Sequence, residues 1–347
     1  MSQWNTWVRA VAALLAVTII ASTAQAVLNP RVERTVVVYT SVDQVFSEPV
    51  FRRFEEATGI KVKAVFDVEA AKTTGLVNRL IAEKARPLCD VWWSGEIVQT
   101  ILLKEEGVLA PYRSPSAEGI PPQYVDPDWY WMGFGGRARV LLVNTELVDP
   151  GDVPDSLFDL ASTGVPAEKV GIAYPMFGTA ATQAAALYAQ MGPEDARSFF
   201  AGLRDAGVRA VDGNSVVRDL VAGGQLAMGL TDTDDAIGAI ERGAPVEMVF
   251  LDQGPGGMGT LIIPNTVAMI AGAAHPEEAE ALLDYLLSEE LEAELVDSGW
   301  LQLPLRSVPV EQLYFDASSV KGMTVSWVEV YAYIEQAKKD MAEIFVR

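Results

Sequence analysis

The sequence predicts an α/β protein with mainly parallel sheets, divided into two lobes. Short apolar runs alternate with helix-period segments along the chain, the pattern of strands joined by crossover helices. Two such runs, Val36-Val37-Val38-Tyr39 and Asp90-Val91-Trp92-Trp93, open directly onto polar residues and then a helical pattern, and open α/β sheets bind small ligands at strand ends of this kind. A chain of 347 residues with 50% hydrophobic residues buries a large core, and two lobes accommodate it better than one.

The elements follow from local pattern. Strands are expected over 35–39, 61–66, 91–93, 139–144, 170–173, 227–230, 246–251 and 260–263. Helices are expected over 49–58, 73–84, 97–106, 179–191, 194–206, 214–222, 233–242, 276–288, 291–298 and 327–345. In the last, Val328, Val330 and Ala332 alternate before Ile334, Ala337, Met341 and Ile344 take helical spacing. Proline and glycine between Tyr112 and Gly136, and the run Gln253-Gly254-Pro255-Gly256-Gly257-Met258-Gly259, mark loop-rich crossings. If the chain passes between lobes there, it leaves the first near 137–143 and returns near 261–264.

The first 26 residues carry an export pattern: Arg9, an apolar run from Ala10 to Ala21, and the small-residue sequence Ala24-Gln25-Ala26. A retained anchor is the alternative, but the run falls short of the ~20 apolar residues that span a bilayer. Cleavage near Ala26 places the mature chain outside the cytoplasm. Cys89 is the only cysteine, so no intramolecular disulfide supports the fold, and its place before an apolar strand suits a buried small side chain.

A net charge of −21, with 47 acidic against 26 basic residues, excludes a nucleic-acid partner, since phosphate contacts need clustered Lys and Arg. Enzymatic motifs are scarce. The single histidine, His275, precedes Pro276-Glu277-Glu278 and reads as a solvated capping position, which leaves no histidine for a Ser-His-Asp triad; without a second histidine or cysteine there is no zinc site of the usual ligand types. The glycine run at 254–259 lacks a following Lys-Ser or Lys-Thr and leads into a strand, so it is a turn rather than a phosphate loop. No catalyst and no catalytic cofactor are expected; a secreted hydrolase using paired carboxylates remains a remote alternative.

The sharpest cluster is Thr231-Asp232-Thr233-Asp234-Asp235, between an apolar run and a helical pattern. Adjacent carboxylates repel one another and raise each other's pKa. Capping by Thr233 or Asp234 and first-turn dipole effects account for one or two of these acids, not for three, which points to a cationic or hydrogen-bond-donating ligand. Arg137 and the helix start at Gly178-Thr179 together make a physically sound anion site. Asn214-Ser215 opens another helix and either caps it or reaches the ligand. In Trp92-Trp93, strand alternation sends the rings to opposite faces, and packing is the expected use of both.

The strand-turn-helix block from Thr35 to Lys63, the helix at Thr74-Gly75-Leu76-Val77-Asn78-Arg79-Leu80, the Asp90-to-Glu96 block, and Gly135-Gly136-Arg137-Ala138-Arg139-Val140-Leu141 resemble periplasmic solute-binding proteins of ABC importers, nearest the ferric-ion-binding branch of extracellular solute-binding family 1. That resemblance spans nearly the whole mature chain. It implies the type II two-lobed fold, with lobe one over 27–137 and 262–310, lobe two over 138–261 and 311–347, hinge strands between them, a monomer, and delivery to a membrane permease. In the family a tyrosine pair, a histidine and a glutamate hold iron; here Thr233 and Asp234 stand at the tyrosines, Asp43 at the histidine, and Gly95 at the glutamate, with Glu96 one residue on. The phenolate site is missing. The hard oxygen ligands that remain for Fe3+ or another hard cation are Asp43, Glu96, Asp232, Asp234 and Asp235. The family's synergistic anion would fall to Arg137, Gly178 and Thr179, with Thr40, Ser41, Asn214 and Ser215 as further ligand contacts. A zwitterion such as an aminoalkylphosphonate, its phosphonate on Arg137 and its ammonium on the acids, is the rival ligand.

Overall fold

The computed structural model describes residues 34–67, 74–300, 303–310 and 314–345; the segment expected to direct export lies outside them. Among the described residues ten strands form one continuous sheet: β1 (Thr35–Thr40), β2 (Lys61–Phe66), β3 (Val91–Ser94), β4 (Leu109–Ala110), β5 (Met132–Asn144), β6 (Val170–Ala173), β7 (Arg209–Val211), β8 (Met228–Asp232), β9 (Val246–Val249) and β10 (Ile262–Ile270). The order is β2-β1-β3-β10-β5-β8-β6-β7, with β4 on β10 and β9 on β5. Helices are α1 (Gln44–Thr58), α2 (Thr74–Glu83), α3 (Ile97–Glu105), α4 (Gly178–Met191), α5 (Pro193–Ala206), α6 (Asn214–Ala222), α7 (Thr233–Glu241), α8 (Pro276–Leu286), α9 (Glu289–Asp297) and α10 (Trp327–Ile344).

Pairing is parallel for β1 with β2 and β3, and for β6 with β7 and β8, but antiparallel wherever β5 or β10 takes part. The expectation of mainly parallel sheets therefore holds at the two flanks and fails at the centre. Both central strands are longer than their sequence signals. β5 begins at Met132 instead of Arg139, because Met132-Gly133-Phe134-Gly135-Gly136 looks like a loop yet is buried throughout. Its glycines are sites of close approach: a Cβ on Gly133 would stand 3.0 Å from the Tyr124 carbonyl oxygen, and one on Gly136 3.1 Å from that of Ile263. The first part of β5 pairs with β10, and the part from Arg139 onward pairs with β8 and β9. One strand thus belongs to both halves of the two-lobed fold, and the register of β10 against it shifts between Pro264 and Asn265.

Burial explains the remaining elements. Trp92 and Trp93 are both fully buried, with Trp92 Nε1 donating to Thr100 Oγ1 at 2.9 Å and Trp93 edge-on to Phe51. α1 starts five residues before the expected Pro49, which the helix carries inside its second turn. α10 buries Trp327, Val330, Ile334, Ala337, Met341 and Ile344, one face of a 3.6-residue period, against α4, α5 and α3. Burying a side chain of this kind is worth roughly 1.5–3 kcal/mol. Cys89 is buried, and burial pushes its thiol far up, out of reach of ionisation. His275 occupies the N-cap position of α8 without a side-chain cap; its Nδ1 lies 2.9 Å from the buried Asp90 carboxylate.

Candidate ligand-binding cleft

Strand ends and helix starts from both halves converge on one cleft of about 780 Å³. From the β1 side come Ser41, Asp43 and Phe46; from the β3 end Gly95 and Glu96; from β5 and β10 Arg137 and Asn265. Opposite them stand Tyr174, Phe177, Gly178 and Thr179, then Asp212, Asn214 and Ser215, and finally Asp232, Asp234, Asp235 and Glu241. Among the described residues, seven carboxylates (Asp43, Glu96, Asp212, Asp232, Asp234, Asp235, Glu241) and one guanidinium line it. A cleft of this size with convergent polar groups is the usual form of a small-ligand site, and the sign of its field favours cations.

The acidic cluster is organised by three arginines, one for each aspartate. Arg139 and Asp232 face each other across the β5–β8 pair; their side chains, 2% and 4% exposed, meet at 2.6 Å. Arg139 Nη1 also donates to Asn214 Oδ1 at 2.9 Å, and Nε to Gln183 Oε1 at 2.9 Å. Asp232 Oδ2 accepts from Thr179 Oγ1 at 2.6 Å and from Asn214 Nδ2 at 2.9 Å. Asp235 accepts from Arg218 Nη1 at 2.9 Å and from Thr231 Oγ1 at 3.2 Å. Asp234, 42% exposed, meets Arg137, 30% exposed, at 3.2 Å. This last pair is the one open to the cleft.

Protonation follows from that arrangement. Burial, then the charges of Asp234 and Asp232, push Asp235 up to about 6, with Arg218 pulling the other way. Burial also raises Asp234, against the opposing pull of Arg137. Glu96 is raised by burial despite the bonds it accepts: Thr182 Oγ1 donates to its Oε1 at 2.8 Å, and the Gln99 amide to its Oε2 at 3.3 Å, so it caps α3 while tying that helix to α4.

Residues 50–307 match the family of bacterial extracellular solute-binding proteins. That match covers well over half of the sequence. The chain is a bacterial extracellular solute-binding protein. Among its relatives, iron uptake protein A1 of Synechocystis sp. is 24% identical over 325 residues, 91% of this chain and 88% of that one. The major ferric iron-binding protein of Neisseria meningitidis is 26% identical over 267 residues, 74% of this chain and 76% of that one. The solved Trichodesmium IdiA (FutA), in complex with iron and citrate, superposes with a TM-score of 0.79 at 22% identity, covering 90% of this chain and all (100%) of the other. That likeness establishes the fold.

Most of the residues singled out from the sequence meet in the cleft of this solute-binding protein: Ser41, Asp43, Glu96, Arg137, Gly178, Thr179, Asn214, Ser215, Asp232, Asp234 and Asp235 all line it. Thr40 does not. It is fully buried, and its hydroxyl accepts from the Val42 amide at 3.0 Å, closing the turn after β1. Asp232 and Asp235 are engaged as acceptors by buried or half-buried arginines, which leaves Asp234 as the member of the cluster facing the opening. Side-chain capping of α7 is not realised either: Asp232 holds the N-cap position without a cap bond, and the Thr233 hydroxyl accepts from the Ala138 amide at 3.1 Å.

Sequence reading missed Arg139, the hub of the polar network, because the adjacent Arg137 matched the expected motif. Strand alternation puts the two side chains on the same face, and what separates them is pairing: Arg139 lies opposite Asp232 of β8, whereas Arg137 lies opposite Ile263 of β10. It also missed Asn265, whose buried Oδ1 has no hydrogen-bond partner. Gly95 lies beside both: a Cβ there would stand 3.4 Å from Arg137 Nη2 and 3.7 Å from Asn265 Oδ1. The guanidinium thus fills the space a side chain at Gly95 would enter.

Proposed function

We propose that this solute-binding protein captures, outside the cytoplasm, a small solute that presents a positive centre together with an anionic group, and hands it to the permease of an ABC importer. The observation that carries this is the cleft wall itself: seven carboxylates surround a single guanidinium, and the pair accessible at its floor is Arg137 with Asp234. Ferric ion accompanied by a small anion satisfies both halves of that demand. The names of the iron-binding relatives support this ligand, with Asp234, Asp43 and Glu96 as hard oxygen donors and Arg137, the Gly178 and Thr179 amides and Ser215 toward the anion.

A second reading rests on the one-to-one matching of Asp232, Asp234 and Asp235 by Arg139, Arg137 and Arg218. A cluster already compensated makes a weak cage for a trivalent ion, whereas an open Arg–Asp pair is a template for a zwitterion: an ammonium replaces Arg137 at Asp234, and an acidic group takes Arg137. Capture by closure suits either ligand, with lobes of 27–137 plus 262–310 and of 138–261 plus 311–347 moving about β5 and β10. The family resemblance supports a monomer and export with cleavage near Ala26.

The test is titration calorimetry with ferric citrate and, separately, with 2-aminoethylphosphonate, on the wild type and on Asp234→Asn. Saturable binding of one of them that the variant loses supports capture at this cleft. Absence of heat with every charged solute, or binding indifferent to Asp234, would refute it.

A further inference from the structure

Four aromatic residues, Phe46, Tyr174, Phe177 and Trp300, line the cleft. On one wall Phe46, 44% exposed in the first turn of α1, packs against Trp300 with ring centroids 5.9 Å apart. Trp300 stands edge-on to the buried Trp93 at 5.6 Å, and Trp93 packs on Phe134, so the lip is anchored by a ladder of rings running into the core. On the opposite wall Phe177 is 71% exposed. It occupies the N-cap position of α4 and makes no side-chain cap bond, although Ser, Thr, Asp or Asn there would stabilise the helix. Tyr174 lines the same wall, edge-on to Phe345 at 6.4 Å.

An exposed phenylalanine at a helix cap is unfavourable twice, through the lost cap and through the wetted ring. Neither a bare ion nor a small inorganic anion has a use for it. The cleft between these rings holds about 780 Å³, many times the volume of a single ion and within the range of organic ligand pockets. Ring faces carry the negative end of a quadrupole and attract organic cations. The carboxylates beneath add charge of the same sign.

We propose that Phe46 and Trp300 on one wall and Phe177 and Tyr174 on the other clasp the apolar or aromatic body of an organic amine, whose ammonium is held by Asp234 and the neighbouring carboxylates. This rests on the second reading above and names the chemical class of its solute. Rings on both walls close over the organic body as the walls approach, while Arg137, displaced from Asp234, is free to meet an acidic group on the same solute or the unpartnered Asn265 Oδ1.

The experiment compares two probes with the same charge, 2-phenylethylamine and ethylamine, by calorimetry and by the fluorescence of Trp300 and its neighbours. The wild type is expected to bind phenylethylamine at least tenfold more tightly. Phe177→Ala and Phe46→Ala are expected to collapse that ratio toward one, and Asp234→Asn to weaken both amines together. Each variant's far-UV circular dichroism should match the wild type, since both rings are largely exposed. Equal affinity for the two amines, or a ratio unchanged in Phe177→Ala, would overturn the proposal. Binding of ferric citrate or of 2-aminoethylphosphonate by the wild type with neither amine bound would also overturn it, while leaving capture at this cleft standing; no binding of any of the four would remove the capture reading as well.

Discussion

Replacing Arg139 by Met tests the network on which the cleft is built. The Met side chain keeps much of the aliphatic volume but removes the guanidinium, leaving Asp232, 4% exposed, with hydrogen bonds from Thr179 and Asn214 and no counter-charge. Breaking a buried ion pair from one side costs about 3–5 kcal/mol, because the surviving charge is stranded out of water. Loss of the bonds to Asn214 Oδ1 and Gln183 Oε1 acts in the same direction. The assay is urea unfolding followed by tryptophan fluorescence and circular dichroism, whose traces must coincide for a single free energy to be defined. Asp232→Asn alone should also destabilise, by leaving Arg139 buried and unpaired. The double variant Arg139→Met with Asp232→Asn should recover part of the loss, giving a coupling of roughly 1–3 kcal/mol. A loss below about 1 kcal/mol in Arg139→Met, the level typical of exposed pairs, or strict additivity in the double variant would refute the reasoning.

Further outcomes follow from the same geometry. Arg137→Ala should change stability by no more than about 1 kcal/mol, because its pair with Asp234 is open to solvent, yet weaken a solute bearing an anionic group at least tenfold, as calorimetry would register. Glu292→Gln should destabilise by about 3–5 kcal/mol in chemical denaturation, since this fully buried carboxylate accepts from the Gly135 and Leu305 amides and from Arg306 Nε, each at 2.8 Å. Asp235 is raised to about 6 from the usual 3.8, so the folded chain holds this proton more tightly than the unfolded chain. Its contribution should therefore stabilise the unliganded protein as pH falls from above 6 toward 3.8, and be lost as pH rises through about 6. Cation affinity should move the opposite way, weakening below pH 6 as Asp235 takes up its proton; thermal shift with and without solute reads both trends. A ferric complex held by Asp234, Asp43 and Glu96 should lack strong visible phenolate-to-iron absorption; such absorption would refute that donor set and point to Tyr174, which lines the cleft, since Tyr39 is buried with its hydroxyl donating to Glu83 at 3.0 Å.

The outer strands and most helices were legible because their apolar period is local: β1, β2, β6 and α6 run very nearly where the pattern puts them. The long central strands were not. Gly133, Gly135 and Gly136 read as loop; the close approach of Tyr124, Ile263 and Leu305 to Gly133 and Gly136 and the bond from the Gly135 amide to Glu292 come from residues distant in sequence. The site was legible as a set of residues at strand ends and helix starts, because charged clusters at such positions are conspicuous in one dimension. Its internal pairing was not: which aspartate faces which arginine depends on the register of β5 against β8, and register is a property of two strands at once. Thr40 failed for a similar reason, since its hydroxyl is drawn back to the Val42 amide by the turn it initiates.

The most direct measurement is native mass spectrometry of the protein recovered from the cell that makes it, beside the Asp234→Asn variant prepared the same way. The wild type should carry a bound mass, a metal with its anion or an organic solute, that the variant lacks. An empty wild type, or a bound mass that survives in the variant, would contradict capture through the Arg137–Asp234 floor of the cleft.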